Sequence, residues 1–181
     1  MEMSQTNIIN EIIYNENGLS SGREFILDSQ VLHGITYDYN KNNIFTASIT
    51  DDWLYKIHLA IDSTTSVSLD SSFTNHITNY PNRLQPLQIV TLNDSIIAIS
   101  CSGFPDEING QVQIWNSERM TYKTSYEFNN QSIPWHLIKS PNNDDLFIVL
   151  GGSNGNGGVA CLTYSNNNNE IIDLSNKQSS Y

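Results

Sequence analysis

Short apolar runs separated by polar turns recur along this chain. Residues 32–59 read LHGITYDYNKNNIFTASITDDWLYKIHL, residues 87–116 read LQIVTLNDSIIAISCSGFPDEINGQVQIWN, and residues 135–164 read WHLIKSPNNDDLFIVLGGSNGNGGVACLTY. Each has an apolar run, a turn, a second run, a Gly- or acid-bearing turn, and a third run. Trp53, Tyr55, Ile57 and Leu59 stand at alternate positions, which is the period of a strand. Almost no segment holds a 3.6-residue period, so the chain is predicted to be mostly β. Thr65–Leu69, Tyr122–Phe128 and Ile171–Leu174 are predicted as fourth, outer strands of the three units. Gly34, inside the first strand, is predicted to allow close approach of another backbone.

The flanks differ. Residues 1–23 form a polar N-terminal arm with one apolar cluster, Ile8-Ile9 and Ile12-Ile13, read as a strand or a loosely held segment. Gly18 and the Ser20-Ser21-Gly22 run are expected to break the chain. Phe25-Ile26-Leu27 is a strand candidate, readable as the outer strand of a preceding, incomplete unit. Residues 175–181 are expected to be a disordered tail.

Strand units recurring at roughly 40–50 residues resemble the blades of a β-propeller. Asn109–Asn116 is similar to the turn and closing strand of WD40-type repeats, with Trp115-Asn116 where that family often has Trp-Asp. Ser48–Asp52 followed by Trp53–Leu59 is a weaker copy. Pro86-Leu87-Gln88 and Pro134-Trp135-His136 resemble blade openings of YVTN, NHL and lactonase-type propellers. The resemblance covers residues 24–174. It implies an all-β fold of four-stranded antiparallel blades, approximately 32–69, 87–128 and 134–174, with three to four blades visible. A closed propeller has about 4–8 blades. The chain therefore reads as a fragment or partial propeller, as one part of an assembly that completes the ring, or as a small propeller whose remaining blade joins N- and C-terminal strands.

Composition narrows the functional classes. In 181 residues, 8 Lys and Arg face 19 Asp and Glu, a net charge of −11. Such a surface disfavours phosphate backbones and anionic membranes and favours basic protein partners. No apolar run reaches the roughly 20 residues of a membrane-spanning helix. Met1–Asn10 lacks the basic residues and apolar stretch of a secretory signal, so the expected setting is cytoplasmic or nuclear. Cys101 and Cys161 both fall in predicted strands and read as small buried hydrophobes rather than a disulfide or a metal pair.

Candidate chemistry is sparse. Aligning the units puts His33, Gln88 and His136 at one position, the second residue of each opening strand. In a propeller those strands surround the axis, so this trio is the candidate binding set. His33 and His136 are candidate acid–base groups for a lactonase-like reaction; the simpler reading has all three bonding to neighbouring turns, and no catalytic residue is assigned. Asp51-Asp52, Asp106-Glu107 and Asp144-Asp145 read as solvated turns, without calcium-loop spacing. Gly151–Gly158 precedes a strand and contains no Lys, so it reads as a hairpin loop rather than a phosphate cradle. Trp53, Trp115 and Trp135 are expected in blade cores or interfaces. No GxSxG or HExxH occurs. The expectation is a non-enzymatic protein-interaction scaffold without cofactor or metal, with a gluconolactonase-type hydrolase as the alternative.

Overall fold

β8, Ile96–Cys101, is buried at all six positions. Side chains alternate between the faces of a strand, so such a run means that both faces of its sheet are covered. The neighbours that cover it explain the fold. The computed structural model describes residues 7–28, 31–50, 52–69, 84–103, 109–128, 132–152 and 157–173, and the strand elements within them are all β.

Three four-stranded antiparallel sheets follow one another along the chain, each made of consecutive strands. Sheet 1 contains β3 (Leu32–Asp38), β4 (Asn43–Ser48), β5 (Trp53–His58) and β6 (Ser63–Ser68). Sheet 2 contains β7 (Pro86–Asn93), β8, β9 (Gln111–Asn116) and β10 (Thr121–Glu127). Sheet 3 contains β11 (Ile133–Lys139), β12 (Asp145–Gly151), β13 (Gly158–Ser165) and β14 (Glu170–Asp173). β3 lies against β7, and β7 against β11, while the fourth strands β10 and β14 touch only sparsely. Sheets that crowd at their first strands and diverge at their last are propeller-type blades. They are not closed into a ring.

Each interface joins the forward face of one sheet, the face toward the next sheet in the chain, to the rear face of the following one. Phe45, Ala47, Leu54 and Leu69 of sheet 1 pack on Ile89, Ile97, Ile99, Cys101 and Trp115 of sheet 2. Ala98, Val112, Ile114 and Phe128 then pack on Leu137, Ile148, Ala160 and Leu162 of sheet 3. Each fully buried Leu or Ile contributes about 1.5–3 kcal/mol, so these two layers dominate the stability.

The N-terminal segment departs from the expected break. β1 (Ile8–Asn15) and β2 (Gly18–Ile26) form a hairpin, and Ser20-Ser21-Gly22 lie inside β2. Ser20 and Ser21 face Ile13 and Ile12 across the ladder. Backbone pairing carries the strand through a sequence of low β-propensity. Gly18, at φ 101°, takes the tight turn.

One hydrogen bond identifies what this hairpin is. Leu69 N–H, just after β6, donates to Asp52 O, just before β5. Phe128 N–H donates to Gly110 O in the same way across sheet 2, and Leu27 N–H donates to Asn7 O across the hairpin. All three donor residues are buried. β1 and β2 thus stand to sheet 1 as the third and fourth strands of one sheet stand to the next. Phe25 and Leu27 pack with Ile9 on Tyr55 and Ile57 of sheet 1.

A charged clamp fastens the hairpin. Arg23 Nε lies 3.0 Å from Glu11 Oε2, and its Nη1 donates to Leu59 O at 2.6 Å and to Asp62 at 2.9 Å. The Arg23 side-chain hydrogen bonds, then that from its backbone, hold the Glu11 carboxyl at about 2, against an ordinary 4.5. A carboxylate lowered by folding stabilises fully above its ordinary value, and the contribution is lost as pH falls through the folded value. Amide protection in β1–β2 is expected to drop between pH 4.5 and about 2 while β8 stays protected. Hydrogen exchange checks this; equal loss in both regions would show that the clamp does not hold the hairpin.

Candidate functional site

The trio singled out from the sequence sits on one face at the inner end of the sheets. His33 pairs across the ladder with Ala47, Gln88 with Ser100, and His136 with Val149. A β-bulge adjoins each: at Gly34 after His33, at Leu87 before Gln88, and at Trp135 before His136. A bulge re-aims the side chains beside it. Here it turns the first two toward the next sheet.

His33 Nδ1 lies 2.5 Å from Leu87 O of sheet 2. A carbonyl only accepts, so Nδ1 carries the proton and donates. Gln88 does the same job with two bonds. Its Nε2 donates to Leu137 O at 3.2 Å, and its Oε1 accepts Leu137 N–H at 2.7 Å. The carboxamide thereby replaces a ladder rung between sheets 2 and 3. His136 Nδ1 donates to the same Oε1 at 3.1 Å, from an exposed position. The structure brings Gln88 and His136 together and links His33 to the strand that carries Gln88. The His33 and Gln88 bonds run to strand backbone of the neighbouring blade, not to turns as the simpler reading had it.

Two further polar ties escaped the sequence reading. Asp52, 1% exposed, accepts Leu84 N–H at 2.9 Å and Gln85 N–H at 2.8 Å. It pins the start of sheet 2 to sheet 1. Lys56, 5% exposed, donates from Nζ to Ser117 O at 3.0 Å and Glu118 O at 3.1 Å. Burial, and then the charge of Lys41, lower its pKa. Alternation could have flagged Lys56: it shares its cross-strand row with Phe45, which is wholly buried.

The remaining candidates take structural positions. Asp145 accepts from Asn143 Nδ2 at 2.7 Å and from the Thr163 hydroxyl. Asp51 and the Asp106-Glu107 pair lie outside the described residues. Among the described residues no group of three or more His, Cys, Asp or Glu is arranged to hold a metal. Beyond Gly151 a strand follows, β13, and residues 153–156 lie outside the described set. Cys101 is buried and Cys161 half-buried, both as thiols. Trp115 is core, but Trp53 is 37% and Trp135 48% exposed. Trp135 is the bulged residue of β11, which frees it from the alternation that would have buried it, and its ring lies over Gly151.

No family model matches the chain, and no curated protein matches it. Solved structures do. A protein from Bacteroides uniformis named as a candidate 6-phosphogluconolactonase superposes with TM-score 0.65 at 10% identity, over 92% of this chain and 50% of that one. Sqt1 from Chaetomium thermophilum superposes with TM-score 0.62 at 13% identity, over 87% of this chain and 39% of that one. The chain spans half or less of the length of these neighbours. At such identities the likeness is one of fold: the chain is an arc of propeller-type blades.

Proposed function

We propose that this chain is a non-enzymatic scaffold that binds a protein partner through the rims of its blades. The observation that carries this reading is the engagement of the inner polar residues. His33 and Gln88 join sheet to sheet, so they stiffen a frame rather than face a substrate. A rigid frame with variable turns is what a recognition surface needs. The net charge of −11 selects for basic partners and against nucleic acid or anionic membrane. The proposed setting is the cytosol or nucleus, where Cys101 and Cys161 remain reduced.

Binding of a panel of basic, neutral and acidic peptides should show a preference for the basic set that weakens as salt rises. Equal binding of all three sets, or none, would remove the reading. A lactonase-type hydrolysis has two observations behind it, the first structural neighbour and the exposed His136 ring. Turnover of an aldonolactone that disappears in His136→Ala, with the variant's thermal midpoint unchanged, would replace the scaffold reading with that one.

A further inference from the structure

We propose that Asn17 is a site of spontaneous deamidation, and that the isoaspartate formed there loosens the β1–β2 hairpin. The side-chain amide of an asparagine is open to attack by the backbone nitrogen of the next residue. Glycine at that next position puts no side chain in the way. The chain has Asn-Gly pairs at 17–18, 109–110, 154–155 and 156–157. Asn154 and Asn156 lie outside the described residues. The other two pairs sit in opposite surroundings.

Asn17 is exposed in the two-residue connection Glu16-Asn17 between β1 and β2. Its backbone N–H donates to Asn15 Oδ1 at 2.9 Å, while its own carboxamide makes no hydrogen bond among the described residues. Gly18 follows at φ 101°, and nothing lies within 4 Å of where a Cβ would stand. Gly18 pairs with Asn15 on the last rung of the ladder, and terminal rungs open most readily. The peptide between Asn17 and Gly18 therefore has room to turn its nitrogen toward the side chain.

Gly110 is held. A Cβ there would lie 2.3 Å from Ser132 O and 2.4 Å from Pro134 Cδ. Its carbonyl accepts Phe128 N–H at 2.8 Å. Turning the peptide before Gly110 would strain that tie across sheet 2 and push on the chain entering sheet 3. The fold thus spares Asn109 and leaves Asn17 open.

The step balances with water as the one co-reactant. Gly18 N bonds to Asn17 Cγ, and the Cγ–Nδ2 bond breaks. Nδ2 leaves as ammonia, taking the proton that Gly18 N gives up. Water then opens the cyclic imide. Opening at Cγ gives aspartate; opening at the main-chain carbonyl gives isoaspartate, whose backbone runs through Cγ and is one carbon longer.

The length of a hairpin connection sets the register of its strands. A longer backbone at Asn17 disturbs the Asn15–Gly18 and Tyr14–Leu19 pairs, and the new carboxylate stands beside Glu16. Ser20-Ser21-Gly22 are held in β2 by that same ladder, so loss of the end rungs spreads into the strand.

Peptide mapping with electron-transfer fragmentation, which separates isoaspartate from aspartate, tests this on the full chain held in warm, mildly alkaline buffer. Asn17 is expected to convert severalfold faster than Asn109 in the folded protein, and at a similar rate in denaturant. Hydrogen exchange on the aged protein should show lost protection in β1–β2 with β8 unchanged. Asn17→Gln, at an exposed turn position, should keep that protection through the same incubation, because the larger imide ring that glutamine needs forms far more slowly. An intact Asn17, equal conversion of Asn17 and Asn109 in the folded chain, conversion without loss of protection, or equal loss in Asn17→Gln would each overturn the proposal.

Discussion

Gly34→Ala is expected to destabilise the protein by about 2–5 kcal/mol, a large part of the 5–15 kcal/mol that holds a typical domain. Two costs act together at this bulge. Gly34 sits at φ 68°, in the left-handed region that side chains rarely adopt. An added Cβ would also lie 2.9 Å from Gln88 Cα and 2.9 Å from Leu87 O. Both contacts are backbone, so no rotamer change relieves them. Sheets 1 and 2 would have to separate at their inner ends, stretching the His33–Leu87 bond and loosening the packing of Phe45 against Ile97 and Ile99. Chemical denaturation checks the magnitude. Gly18→Ala is the control, since Gly18 shares a positive φ but has nothing within 4 Å of an added Cβ. Similar losses at both positions would mean that backbone strain alone, and not the closeness of the sheets, sets the cost.

Trp115→Ala is expected to cost about 3–5 kcal/mol, the usual range for deleting a buried aromatic. Its ring stacks edge-on against Tyr122 and fills the layer between sheets 1 and 2. Trp115→Phe separates two contributions. It keeps most of the apolar volume but removes the indole N–H that donates to Gln113 Oε1 at 2.8 Å. Gln113 is fully buried, and its Nε2 already has no partner among the described residues. Stranding the second amide atom should cost about 1–3 kcal/mol. Trp115→Phe combined with Gln113→Leu should recover much of that loss, because both polar partners are then gone. A double variant no more stable than Trp115→Phe would show that ring volume, not the hydrogen bond, governs the site.

The parts of this structure that were legible in the sequence are those set by period. Alternation and turn residues located the strands of all three sheets, and the aligned His33, Gln88 and His136 do fall on one face at one rim. Gly34 was readable as a close approach because a glycine in an apolar strand has few other uses. Contact across sheets was harder to read. Nothing local marks Asp52 as the anchor of residues 84–85, which lie a long linker away. Trp135 and Trp115 look alike in sequence, yet a bulge ejects one while alternation buries the other. Ser20-Ser21-Gly22 resembles a breaker because propensity is local, whereas the β1–β2 ladder that overrides it is a pairing between segments. The polar trio shows the same limit: its residue types suggested chemistry, and only the distances revealed ties between blades.

The serial stacking also has a thermodynamic consequence. Sheet 2 is sandwiched, whereas the hairpin and sheet 3 each lean on a single neighbour. Coupling that runs only from one layer to the next behaves as a short one-dimensional chain, whose termini fray before its middle melts. The outer layers would thus be lost at lower stress than the centre.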